Sequence, residues 1–142
     1  MRILGLDYGD KRIGVAVSDE LGYTAQGHST IVRKNRRHDL VRIAELAANY
    51  SVDAIVIGYP VRLDGTEGIQ CEKVDRFIGH LEAYVQKPIV KWDETLTTKT
   101  AEDILIAANM RREKRKNVID KLAATLILQD YLDHAKDMKK RS

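Results

Sequence analysis

With 142 residues, a single cysteine and a net charge of +3, the chain has single-domain length, cannot close an internal disulfide, and carries no bulk charge that by itself names a partner. Its 44% hydrophobic and 32% charged residues exclude a disordered or fibrous class. No apolar run reaches the ~20 residues a bilayer span needs, no Cys/His set has zinc spacing, and no leader precedes the first strand. A cytoplasmic protein with no membrane association, forming one domain over residues 1–142, is therefore expected.

ILGLD (Ile3–Asp7) reads as a strand, YGDK as a tight turn, and RIGVAVSD (Arg12–Asp19) as a second strand with Ile13, Val15 and Val17 alternating. So short a link makes the two an antiparallel hairpin. Residues 23–32 supply a third strand. From Arg37 to Tyr50 apolar residues recur at helical spacing, and DAIVIG (Asp53–Gly58) is a continuous apolar strand, buried on both faces. YPVRLDGTEG is a loop turned at Asp64-Gly65, and a helix then runs to Tyr84. PIVKW (Pro88–Trp92) is the last strand. A helix over Thr97–Met110, the basic run RREKRK (Arg111–Lys116) and a helix over Val118–His134 complete the chain. The order βββαβαβαα predicts an α/β fold, a mixed sheet with a parallel core and an antiparallel hairpin edge. A dinucleotide fold fits less well, because its first strand should lead through GxGxxG into a helix.

Asp7 ends the first apolar strand in a charge, which a packed core tolerates only when the acid is paired. Gly5 and Gly9 flank it and leave space for a ligand, while Lys11 and Arg12 occupy the adjoining turn and face an incoming phosphate. Ligands of open α/β sheets gather at the carboxyl ends of strands, where Asp7 lies. Asp93 and Glu94 end the last strand at the same edge. Helix initiation, as in the Thr100/Asp103 capping pattern, explains one of these acids but hardly both. Carboxylates on neighbouring strand ends repel, and a divalent cation is the usual remedy. Asp120 heads a stripe continued by Ala124, Ile127 and Tyr131; with Asn117 as N-cap it would equally serve the helix dipole. Oxygen donors without thiolate or imidazole suit Mg²⁺ or Mn²⁺. His28, His38, His80 and His134 are scattered and read as surface or structural residues. A carboxylate cluster holding two ions roughly 3.5–4 Å apart suits in-line phosphodiester displacement. RREKRK, immediately before Asp120, supplies a polyanion-binding surface beside it.

LDYGDKRIGVAVSD, GYPVRLDGTEG, DETLTT and KNVIDKLAATLILQDYL, in this order, resemble the signatures of the YqgF (RuvX-type) family. Its bacterial members are described as pre-16S rRNA nucleases or Holliday junction resolvases. The resemblance implies an RNase H-like fold, a five-stranded mixed sheet flanked by helices, and metal-dependent nuclease chemistry. The family's acids fall on Asp7, Glu94 and Asp120, with Asp93 in the same motif as a further ligand. Backbone contacts fall to Lys11, Arg12, Arg62, Lys99, Arg111, Arg112, Lys114, Arg115 and Lys116. Two positions depart from the family pattern: Tyr59 replaces a leucine in GLP, and Thr95 replaces an arginine after the DE pair. The partner implied is structured RNA (pre-rRNA) or branched DNA, taken by a monomer or homodimer. A non-catalytic nucleic-acid module and an actin-like nucleotide-binding domain are the other readings; the second needs two lobes that 142 residues do not offer.

Overall fold

The β1–β2 hairpin organises the sheet. In this computed structural model, which describes residues 1–61, 66–93, 104, 106–108 and 112–141 (side chains of 112–117 and 136–141 excepted), β1 spans Ile3–Tyr8 and β2 Arg12–Ser18. They pair antiparallel, with Asp7 opposite Gly14 and Tyr8 opposite Ile13. The turn closes through Gly9 N–H donating to the Arg12 carbonyl at 2.9 Å. β3 (Ala25–Val32) adds to β2 with a bulge at His28, since Val15 pairs Ser29 and Ala16 pairs Gly27. β4 (Ala54–Tyr59) lies parallel to β1, and β5 (Ile89–Asp93) parallel to β4, giving the order β3-β2-β1-β4-β5. β1 is thus the central strand. Buried on both faces, β1 and β4 carry the near-continuous apolar runs of a covered sheet.

Strand alternation divides the core in two. Leu4, Leu6, Ile13, Val15, Ile55 and Ile57 face α1 (Arg36–Asn49) and α2 (Ile69–Leu81), burying against Leu40, Ile43, Val74 and Phe77. Ile3, Ala16 and Val56 face α3 (Arg112–Arg141), against Ala124, Ile127, Leu128 and Leu132. α1 starts at Asn35, whose Oδ1 accepts from the His38 N–H at 2.8 Å. β5 is locked to α3 by Trp92, whose Nε1–H donates to Asp130 at 2.7 Å and whose ring meets Tyr131 edge-on.

Three expectations need correction. The last helix begins at Arg112, not Val118: Arg, Glu and Lys are good helix formers, and nothing in the basic run breaks the helix. Asn117 is consequently interior and cannot be the N-cap, and Asp120 is not in a first turn. α2 ends at Leu81, short of Tyr84; residues 82–84 form turns in which Ala83 N–H bonds His80 O and Tyr84 N–H bonds Leu81 O. The ends of β1 and β5 are not neighbours either, because β4 runs between them. Most of the helix expected over Thr97–Met110 lies outside the described residues; residues 104, 106 and 107 are helical.

Candidate active site

Asp7 belongs to the odd-numbered face of β1. Ile3 on that face packs into the α3 core, and a Cβ on Gly5 would meet Leu128. The carboxylate therefore lies on the α3 side, 8% exposed, one residue from the strand's end. Asp120 reaches the same place from α3. A Cβ on Gly14 would fall far inside contact distance of the Asp120 carbonyl, so the helix backbone rests directly on the residue paired with Asp7. Opposed Cα atoms in an antiparallel pair stand about 4.5–5.5 Å apart, which brings Asp7 and Asp120 into one locality. Gly5, Gly14 and Gly27, on three successive strands, form the bed: a Cβ at each would collide with Leu128, Asp120 or Lys121.

The glycines therefore act differently from expectation. Gly5 admits α3 rather than a ligand, and Gly9 lets the backbone close on Arg12 O. Gly14 was the informative one. An isolated glycine between Ile13 and Val15 in an alternating strand signals close backbone approach.

Arg12 also has a defined duty. Its Nε donates to the Asp120 carboxylate at 2.8 Å, with the two side chains 37% and 19% exposed. A cation thus already offsets one of the two acids. Lys11 is exposed at the hairpin tip, and its carbonyl accepts from Arg33 N–H. The tip is braced from two further elements. Arg33 Nη1 donates to the carbonyl of Gly9 at 3.1 Å, its guanidinium lies 4.6 Å from the Tyr8 ring centroid, and its Nε donates to Asp39 at 3.1 Å. Lys73 of α2 pairs with Asp10 at 3.1 Å. Asp39, fully buried, is the acid the sequence pattern does not reveal. Burial pushes its carboxyl up, but hydrogen bonds from His38, Arg33 and the Lys34 N–H outweigh that and hold it below the usual carboxylate range.

Asp93 is exposed at the end of β5 and shares the parity of Ile89 and Lys91, which face α2, where Lys91 pairs with Asp75 at 3.2 Å. It lies on the opposite face from Asp7. Val90 and Trp92 have the parity that faces α3. Glu94, Arg62, Lys99 and Arg111 are outside the described residues, as are the side chains of Arg112, Lys114, Arg115 and Lys116. Among the described residues no three His, Cys, Asp or Glu side chains group as a metal site. The pair Asp7–Asp120 is what the described structure brings together: two hard oxygen donors, suited to Mg²⁺-class ions. The histidines take structural partners, His28 with Ser29, His38 with Asp39, His80 with Arg36 and His134 with the Trp92 ring.

A mixed five-stranded sheet whose central strand carries an acid next to its carboxyl end, crossed by a helix carrying a second acid, is the architecture of the RNase H-like class of α/β folds. Residues 1–134 match the RuvX family, described as "Holliday junction resolvase", and the chain belongs to that family of phosphodiester hydrolases. It is 62% identical over 133 residues to a Syntrophus aciditrophicus protein named "Putative pre-16S rRNA nuclease", covering 94% of this chain and 89% of the relative. It is 51% identical over 134 residues to a Halothermothrix orenii protein of the same name, covering 94% and 96%. Among solved structures it resembles the fowlpox virus resolvase bound to Holliday junction DNA (TM-score 0.60, 14% identity, 95% and 99% covered). It also resembles T. thermophilus RuvC with its junction substrate (0.60, 16%, 96% and 96%). At those identities the two structures testify to the fold, which is the one expected from the sequence. Family membership implies dependence on a divalent cation in general, and contact with nucleic acid. No helix among the described residues is long and apolar enough to cross a membrane.

Proposed function

We propose that this protein is a nuclease of structured RNA, cutting phosphodiester bonds in 5′-end maturation of pre-16S rRNA, with Asp7, Asp120 and Glu94 as its catalytic acids. The observation that carries the proposal is the burial of Asp7 at the carboxyl end of the central strand, opposite the Gly14 on which the backbone of Asp120 rests. A pair of acids is brought together there by a helix lowered onto glycine, an arrangement that packing alone does not require. Glu94 follows Asp93 in sequence, and Asp93 has the strand parity of the face opposite Asp7, which favours Glu94 over Asp93 as the third ligand. Bound Mg²⁺ or Mn²⁺, as two ions, would supply an activated water and stabilise the leaving oxygen.

The chain's own residues do the remainder. Asp7 and Asp120 would hold the cation through carboxylate oxygens, and Arg12 holds Asp120 in orientation through its Nε. Lys11 at the exposed tip draws the phosphate backbone toward that edge. Arg112, Lys114, Arg115 and Lys116 precede Asp120 in α3 by eight to four residues, and on that placement they are assigned to the substrate's phosphate backbone. Arg62, Lys99 and Arg111 are assigned to the same backbone contact from the sequence alone. Localisation is cytoplasmic, and the active species is a monomer or a homodimer.

Asp7→Asn should abolish Mg²⁺- or Mn²⁺-dependent cleavage of precursor rRNA and leave RNA binding intact; undiminished cleavage by the pure variant would overturn the assignment. The family description favours a second reading, resolution of four-way DNA junctions. It requires paired symmetric cuts and hence a dimer. Cleavage of junction DNA in preference to precursor rRNA would establish it.

A further inference from the structure

A groove between α1 and α2 lies on the sheet face opposite Asp7 and Asp120. At the β1 end it is a cavity of about 260 Å³ floored by Tyr8 and Phe77 and walled by Arg33, Arg36, Lys73, Arg76 and His80. It continues as a space of about 460 Å³ past Arg37 and Gly79 to Tyr84, with Arg36 and His80 shared between the two. Among the described residues lining the two parts none is acidic, and five are arginine or lysine. Two of those cations are already engaged, Arg33 with Asp39 and Lys73 with Asp10. Arg36 and Arg76 have no carboxylate partner among the described residues, and both are exposed. Arg36 donates instead to His80 Nε2 at 3.0 Å. A guanidinium has no acceptor atom, so the imidazole must accept through that nitrogen. Directed at an imidazole rather than a carboxylate, the arginine is held in place without an acidic partner.

Gly79 gives the second observation. It sits inside α2, where glycine costs about 1 kcal/mol relative to alanine, yet a Cβ there would meet nothing within 4 Å. Unlike Gly5 and Gly14, it answers no packing need among the described residues. Its effect is to keep the groove wall low.

We infer that this groove is a second nucleic-acid contact, taking the phosphodiester backbone of the substrate away from the cleavage site. The inference rests on the nuclease reading and extends it. Tyr8 and Asp7 are consecutive and point to opposite faces of the sheet, so the groove begins one residue from the proposed catalytic acid. A nucleic acid lying across the carboxyl end of β1 meets the acids on one side and the groove on the other. From Lys73 to His80 the α2 wall runs about 10 Å, the axial span of about three nucleotides of one duplex strand. The ligand recognised is the phosphate backbone, read through charge without base selection.

The test is binding in EDTA, where cleavage is silent, followed by fluorescence anisotropy across a salt series. The probes are an RNA hairpin with a single-stranded extension and a four-way DNA junction. The double variant Arg36→Ala/Arg76→Ala should bind the preferred probe about tenfold more weakly and lower the slope of log K against log salt by about two. Gly79→Glu, which adds a carboxylate where space is open, should weaken binding severalfold. Arg36→Lys/Arg76→Lys should restore most of the affinity, which a folding defect would not allow. Wild-type affinity and slope in both the alanine and Gly79→Glu variants overturn the groove while leaving the nuclease reading standing. If wild-type protein binds neither probe, both fall. Loss of cleavage in Asp7→Asn with unchanged binding keeps the two sites separate.

Discussion

Gly14→Ala tests the idea that α3 is lowered onto the sheet at the proposed site. The added methyl would be driven into the Asp120 carbonyl and the Lys121 amide, which are helix backbone and cannot swing aside like a flexible side chain. The methyl would sit 1.9 Å from that carbonyl, so restoring contact distance requires α3 and β2 to part by about 1.5 Å, and gaps of only about 0.5–1 Å already forfeit a quarter to a half of each dispersion contact along the seam. That seam includes Ala124, Ile127 and Leu128, all essentially fully buried. Overpacking costs typically 1–3 kcal/mol; with backbone on both sides, about 3 kcal/mol is expected here, a large share of the 5–15 kcal/mol typical of a domain. Urea unfolding read by the emission of Trp92, the only tryptophan and a residue wedged between β5 and α3, should show the midpoint fall by 1–3 M, given m values of roughly 1–3 kcal/mol/M. Displacing Asp120 by about 1 Å should also cost about 10²-fold in cleavage. Gly79→Ala is the matched control. Its Cβ meets open space in a helix interior, so it should gain about 1 kcal/mol. A Gly14→Ala midpoint equal to wild type would refute the close approach.

Arg12→Ala removes a partly exposed pair worth about 1 kcal/mol or less, but it also leaves Asp120 beside Asp7 without a cation. Its Tm should drop in EDTA and recover with added Mg²⁺ by more than wild type does; equal Mg²⁺ shifts would count against Asp120 as a ligand. Asp39→Ala should cost about 3 kcal/mol in denaturant unfolding, since it strands Arg33 in a partly buried setting. The Asp39 carboxyl is held below its ordinary value of 3.8, so its stabilisation is complete above about pH 5 and is lost as pH falls through the depressed value. Asp39→Asn should therefore flatten the acid limb of the stability profile, and an unchanged limb would assign acid sensitivity elsewhere.

The fold was legible because its signals are local. Alternation in RIGVAVSD, the four-residue turn and the apolar run DAIVIG each follow from one period or one turn rule, and together they set the hairpin and the parallel core. Asp7 stood out for a similar reason, an acid interrupting an apolar strand. The helix start at Arg112 was missed because a charged run resembles a linker, although Arg, Lys and Glu favour helix. Strand adjacency was also beyond reach. Whether β5 lies beside β1 or beyond β4 depends on crossovers, and that decides which acids meet. Asp39 is indistinguishable in sequence from an ordinary acid in a helix's first turn. Only the Arg33 side chain arriving from beyond β3 makes it a buried anchor. The groove cations come from the β3–α1 link, the first turn of α1 and α2, at spacings no motif rule connects.

Arg12 and Asp120 are 108 residues apart in the chain, and this separation governs when the protein becomes competent. Synthesis proceeds from the N-terminus, so β1, with Asp7, emerges long before α3. Until α3 docks, Ile3, Ala16 and Val56 lie uncovered and Asp7 has no second acid beside it. The last helix is at once the lid of one core and the carrier of half the acidic pair. On the proposed assignment of Asp7 and Asp120 as catalytic acids, a nascent chain, or one clipped before α3, has only one of the two acids in place and is inactive as a nuclease.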